Sequence, residues 1–141
     1  MSPTNTVDAF FKAIIERDAE AIIRFYVADE LTYVILEGPR LSTKGFTKIA
    51  DGWRAFCVSP FRLHSIEWLE GAFAEAEGSL AWVSGVVALT VSLHEKTFVQ
   101  TFRVSFVLKK SVDTEGWLIR HEHVSGALLD PYGTGDWVKS V

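Results

Sequence analysis

The chain reads as an α+β fold, and three observations predict it. Before Pro60, apolar residues recur at helical spacing. After Pro60 the pattern changes to long runs rich in β-branched and aromatic residues. The helical segments therefore precede nearly all the strand segments, an order that suits α+β rather than an alternating parallel α/β sheet.

Val7, Phe10, Phe11, Ile14 and Ile15 follow the i, i+3, i+4, i+7, i+8 spacing of one apolar helix face. Ser2-Pro3 makes a helix start, with proline in the first turn. Asp18 reads as the N-cap of a second, shorter helix whose inner face is Ile22, Phe25 and Tyr26. Residues 31–36, LTYVIL, are β-branched and aromatic and read as a short strand ended by Glu37-Gly38-Pro39. In TKGFTKIADGWRAF, Phe46, Ile49, Ala50 and Trp53 are helically spaced and Phe56 extends the stripe. Gly52 weakens this third helix without removing it.

Residues 61–78 carry a strand that ends near Ala74. Residues 79–93 and 96–110 are two longer strands, and His94-Glu95 between them suggests a hairpin. SVDTEG is a turn, and residues 117–125, WLIRHEHVS, form the last strand. The tail GALLDPYGTGDWVKSV, punctuated by proline and glycine, is expected to lie across the surface.

The 141 residues are enough for one domain, and at 48% hydrophobic with ten Phe and five Trp they supply one core. The formal charge of −4 is spread without a basic block, which argues against nucleic acid and against an anionic membrane surface. The single cysteine, Cys57, permits no intrachain disulfide and no cysteine-rich zinc site. The N-terminus lacks a long apolar core of a signal peptide, and no charge-free run reaches membrane-spanning length. A cytoplasmic protein is expected.

Side chains alternate across a strand. In the last strand Trp117, Ile119, His121, His123 and Ser125 would share one face, and Leu118, Arg120, Glu122 and Val124 the other. In the preceding strand Thr101, Arg103, Ser105 and Val107 share a face, opposite Phe98, Gln100, Phe102, Val104, Phe106 and Leu108. Antiparallel pairing about residues 113–115 would bring Arg103 and Ser105 near His121, His123 and Ser125, although a one-residue slip would exchange the faces.

The pattern WLIRHEHVSG, with Arg-x-Ser-x-Val one strand earlier, resembles the SnoaL-like branch of the nuclear transport factor 2-like (ketosteroid isomerase-like) superfamily. It is also similar to the association domain of calcium/calmodulin-dependent protein kinases, whose last strand has a similar Trp and a His-x-His-x-Ser-Gly ending. FFKAIIERDAEAIIRFYVADELTYV resembles the family's first two helices and first strand, and KGFTKIADGWRAF its third helix. The likeness extends over nearly the whole chain, so residues 1–141 are read as a single SnoaL-like domain. It implies a cystatin-like cone: a strongly curved, mainly antiparallel sheet closed by three N-terminal helices, enclosing a pocket. It also implies a homodimer through the outer sheet face. The family includes isomerases, cyclases, dehydratases, hydrolases and plain binding proteins, so the fold does not choose a function. The ketosteroid isomerase branch carries a carboxylate base on the first strand, but the matching positions near Val34 and Ile35 are apolar. Glu37 stands two residues beyond. The cyclase branch uses a buried aspartate, and no aspartate stands on a long strand here.

The expected pocket is apolar with a polar patch of Arg103, His123 and Ser125, flanked by Ser105 and His121. Imidazoles commonly serve as general acids or bases, so His123 could act as one, and Arg103 could hold a carboxylate or enolate oxygen. The same residues could equally form a structural polar network. Tyr33, Trp53, Phe56 and Trp82 are candidate apolar walls, or ordinary core. A cupin-like metal site would need a downstream Glu and a further His; only Asp130 and Asp136 follow, so neither metal nor other cofactor is expected. Trp137 is expected either to cap the pocket mouth or to pack at the dimer interface. The partners expected are an unidentified small molecule and a second copy of the chain. The competing readings are a non-catalytic assembly module, or a lyase, isomerase or cyclase acting on a hydrophobic carbonyl compound.

Overall fold

A computed structural model describes residues 1–127. Helix α1 (Pro3–Ile15) starts at Ser2, whose hydroxyl accepts from the Asn5 backbone N–H at 3.0 Å. Helix α2 (Ala19–Ile23) starts at Asp18, whose carboxylate accepts from the Ala21 N–H at 3.1 Å. Both caps satisfy backbone donors that a helix start leaves open. After β1 (Tyr33–Ile35) the chain forms a two-residue strand, β2 (Thr43–Lys44), that the propensity pattern is too short to reveal, and then α3 (Phe46–Val58). Strands β3 (Phe61–Glu77), β4 (Leu80–Leu93), β5 (Lys96–Lys110) and β6 (Trp117–Ser125) follow. The tail from residue 128 onward, with Asp130, Asp136 and Trp137, lies outside the described residues.

The six strands make one mixed sheet in the order β2-β1-β6-β5-β4-β3. All neighbours are antiparallel except β1 and β6, which run parallel. The β4–β5 hairpin turns at His94, whose φ of 58° gives the left-handed corner. Strand β3 carries three register shifts against β4, between Leu63 and Ser65, Trp68 and Glu70, and Glu70 and Phe73. Such bulges bend the strand and increase its twist, which curls the sheet around the helices.

The helices close the concave side. Val7, Phe10, Phe11 and Ile14 of α1 pack with Ile22, Tyr26 and Ile49 against Val83, Val87, Val104, Phe106, Leu108 and Ile119 of the sheet. Phe10 sits at the centre, 1% exposed. Its ring meets Phe25, Tyr26, Trp53 and Phe106 edge-on, with centroids 5.6–5.9 Å apart. These are the offset geometries aromatic quadrupoles prefer. Arg17 ties the end of α1 to the end of α3. Its guanidinium donates to the carbonyl oxygens of Cys57 at 2.6 Å, Ser59 at 2.8 Å and Phe61. A cation there satisfies carbonyls that a helix C-terminus leaves without partners.

Gly85 of β4 passes directly beneath the β3 bulge. A Cβ at this position would overlap the Glu70 carbonyl oxygen and lie 2.9 Å from the Trp68 ring. Gly85→Ala must therefore push β3 off β4, and urea unfolding should register a loss of about 1–3 kcal/mol. Unchanged stability would mean that β3 is free to move away at this point. Phe10→Ala should cost more, about 3–5 kcal/mol, because the space it leaves is walled by the rings of Phe11, Phe25, Tyr26, Trp53 and Phe106 and the helices cannot collapse into it.

Candidate functional site

Between the helices and the concave sheet face lies a cavity of about 570 Å³. Its walls are mostly carbon: Phe10, Phe11 and Ile14 from α1, Trp53 and Phe56 from α3, and Leu63, Val87, Leu89, Phe102, Val104 and Phe106 from the sheet. The exposed lining residues Glu37, Arg40, Ser42, Lys48 and Gln100 mark the mouth. Of the residues singled out in the sequence, Trp53 and Phe56 line this cavity, their rings 5.4 Å apart and edge-on.

The expectation that Tyr33, Trp82, Arg103, Ser105, His121, His123 and Ser125 line the pocket is corrected by the register. The strand pairing does bring the polar group together as expected: Arg103 opposite Ser125, Ser105 opposite His123, Val107 opposite His121. The group lies on the convex face, away from the helices. Arg103, Ser105 and His123 are exposed there, while their neighbours Phe102, Val104 and Phe106 are buried. Arg103 donates to the Gly126 carbonyl oxygen at 2.8 Å. Ser105 meets the Ser84 hydroxyl at 2.8 Å. Tyr33 stacks on His121 with centroids 5.7 Å apart, and the His121 Nδ1 donates to the Tyr33 carbonyl oxygen at 2.8 Å. Trp82 is 41% exposed on the same face, beside Val107. The physical reason is that the Phe-rich face of β5 has the larger apolar area and takes the interior, carrying its cross-strand partners with it.

Alternation along β6 is also broken, by a bulge. The register jumps from Val107–His121 to Leu108–Ile119, leaving Arg120 without a partner on β5. This bulge puts Ile119 in the core at 0% exposed while His121 faces out, so the two do not share a face. Arg120 at the bulge instead reaches Asp29, with Nη1 2.6 Å from one carboxylate oxygen and Nη2 3.2 Å from the other. That guanidinium, together with the Leu31 N–H, holds the Asp29 carboxyl below its usual pKa.

The register also carries Glu122 inward, a placement that strand alternation alone did not single out. Glu122 lies opposite Phe106 on one side and Val34 on the other, is 1% exposed, and lines the cavity. The Tyr26 hydroxyl donates to its Oε1, and the Trp53 indole N–H donates to the Tyr26 oxygen at 2.9 Å. Burial pushes the Glu122 carboxyl up to about 7, with the Tyr26 hydrogen bond pulling the other way. Burial, and next to it the charge of Glu122, pushes the Tyr26 hydroxyl well above its ordinary value. Glu37 plays a different part. Its carboxylate accepts from the Gly126 N–H at 2.8 Å and pins the end of β6 to the chain after β1. Among the described residues no three His, Cys, Asp or Glu side chains are grouped to hold a metal ion, and no helix is long and apolar enough to cross a membrane.

The buried acid links stability to pH. Its folded-state pKa lies above the unfolded value, so the folded chain binds the extra proton. The stability it contributes is complete below about pH 4.5 and is lost as pH rises through about 7. Relative to Glu122→Gln, the native protein should lose up to about 3 kcal/mol across that window and no more above it. Urea titrations of both proteins at several pH values test this; parallel profiles would put the carboxyl in contact with bulk water.

Similarity to known proteins agrees with this architecture. A model of the SnoaL-like domain matches residues 4–130. A nuclear transport factor 2-like superfamily protein from Salmonella enterica serovar Typhimurium superposes with a TM-score of 0.78 at 21% identity, covering 94% of each chain. A ketosteroid isomerase-like protein from Erwinia carotovora atroseptica gives 0.74 at 16% identity, over 89% of this chain and 94% of that one. A protein from Thiobacillus denitrificans, provisionally described as a calcium/calmodulin-dependent protein kinase type II association domain, gives 0.68 at 17%, over 90% and 96%. A search of curated proteins by sequence found no match. With the family model spanning nearly all of its length, the chain belongs to the SnoaL-like domain family, and its fold is the one those solved structures share.

Proposed function

We propose that this chain, residues 1–141, is a single SnoaL-like domain that binds one small, largely apolar molecule in its concave cavity. The observation that carries the reading is the cavity itself. About 570 Å³ walled by rings and aliphatic side chains, with one buried polar group at its floor, has the size and make-up of a ligand site. A cavity of that size left empty forfeits packing that bulkier side chains would have supplied. Trp53 and Phe56 are the proposed aromatic walls.

An uncharged apolar fluorescent probe such as N-phenyl-1-naphthylamine should bind the native protein and quench Trp53. Leu89→Trp, which fills the cavity, should weaken binding by about tenfold or more. Arg103→Ala, on the opposite sheet face, should leave it unchanged. Equal binding to the native protein and to Leu89→Trp would sink the reading.

A second reading concerns assembly. The convex face exposes Tyr33, Phe73, Trp82 and Val99 among small residues such as Ser84, Ala88 and Ser105. Large apolar side chains gathered on one sheet face favour contact with another protein surface. We propose that the occupant is a second copy, giving a cytoplasmic homodimer, and that His121, His123 and Arg103 belong to that interface. Light scattering should give twice the chain mass for the native protein and the single mass for Trp82→Glu. A native monomer at micromolar concentration would remove this reading while leaving the cavity reading intact.

A further inference from the structure

We infer that Glu122 offers the cavity a single hydrogen-bond donor, and that the molecule bound there is apolar and carries an uncharged acceptor oxygen, such as the carbonyl of a ketone or ester. This rests on the binding reading above and adds the chemistry of the ligand to it.

The directions of the hydrogen bonds around Glu122 place its proton. The Trp53 indole nitrogen can only donate. The Tyr26 oxygen, 2.9 Å away, therefore accepts from it. Tyr26 then has one proton left to give, and Glu122 Oε1 is the acceptor within reach. Reversing that bond would leave the tyrosine proton with no acceptor among the described residues. The relay thus assigns Oε1 the role of acceptor. Oε2 has no partner among the described residues, yet no polar side-chain atom there is both sealed from solvent and unpartnered. Oε2 therefore faces the open cavity. When the acid is neutral, its proton sits on Oε2 and points at whatever occupies the cavity.

The surroundings favour the neutral acid. Among the described residues Tyr26 is the one titratable group against Glu122; Val34 of β1, Phe106 of β5 and Trp53 of α3 are uncharged. No Lys, Arg or His among the described residues pairs with it. Glu37, Arg40 and Lys48 share the cavity only at its exposed mouth. Burial holds the proton on up to about 7. An anionic ligand would meet carbon walls and, above that pH, a like charge. Because Tyr26 is spent on the carboxyl, the buried part of the cavity offers the ligand one side-chain donor.

Three naphthalenes of one shape test this: 2-acetylnaphthalene, 2-isopropylnaphthalene and 1-(2-naphthyl)ethylamine, titrated by calorimetry at about pH 6 and about pH 8.5. The ketone should bind the native protein about fivefold or more tighter than the hydrocarbon at the lower pH, and lose most of that advantage at the higher. In Glu122→Gln the amide oxygen takes the Tyr26 bond and the amide N–H replaces the acid proton. That variant should keep the preference and lose its pH dependence. Equal binding of ketone and hydrocarbon at about pH 6, or a pH dependence that survives in Glu122→Gln, would overturn the donor assignment alone. Tightest binding by the amine would overturn it in favour of an ionised carboxylate pairing with a cation. Binding of none of the three would overturn both this inference and the cavity reading.

Discussion

The register of β6 against β5 is the constraint on which the rest of the site depends. It is set by apolar area. Phe102, Val104, Phe106 and Leu108 alternate along β5, and burying that face leaves Arg103 and Ser105 outside. Every residue of β6 then takes the side its partner takes. The bulge at Arg120 corrects the phase so that both Ile119 and Glu122 point inward. The same register gives β1 its parallel partner and sets Val34 beside Glu122. A slip of one residue would put His121 and His123 in the core and a carboxyl on the surface.

Taking a carboxyl out of water is costly, and the structure limits the cost in two ways. The group can keep its proton, which removes the charge that burial penalises most. It also receives the Tyr26 hydroxyl, itself held by Trp53. The relay draws on three separate parts of the chain: the turn after α2, the middle of α3 and the last strand. Phe10 packs edge-on against both of its aromatic members, so the rings that build the core also aim the polar chain. The acid at the cavity floor is therefore coupled to the packing of the helices on the sheet.

The two faces of the sheet divide the molecule's chemistry. The concave face has carbon walls with one protonatable group. The convex face carries His121, His123, Arg103, serines and several exposed rings on the outer surface rather than around a hollow. An outer face of that make-up is suited to another surface, and a hollow to a small molecule.

Much of this was legible in the sequence. The helical stripe of Val7, Phe10, Phe11 and Ile14, the caps at Ser2 and Asp18, the hairpin at His94-Glu95 and the bounds of β5 and β6 are local matters, decided by spacing, capping and turn chemistry. The order of those elements, with the WLIRHEHVS ending, was enough to place the chain in its family. The site was legible only in part. Trp53 and Phe56 lie where their helical stripe led, but the histidines drew notice for their chemistry, and chemistry does not decide which side of a strand faces in. The signal for Glu122 was present in its pairing with the Phe-rich face of β5, which had to be buried. What the sequence by itself determined is therefore the set of elements and the alternation within each strand. Only the tertiary structure decided which face became the interior and where a bulge shifts the phase. Those depend on the total apolar area each face brings against the helices, a sum over strands and helices distant in sequence.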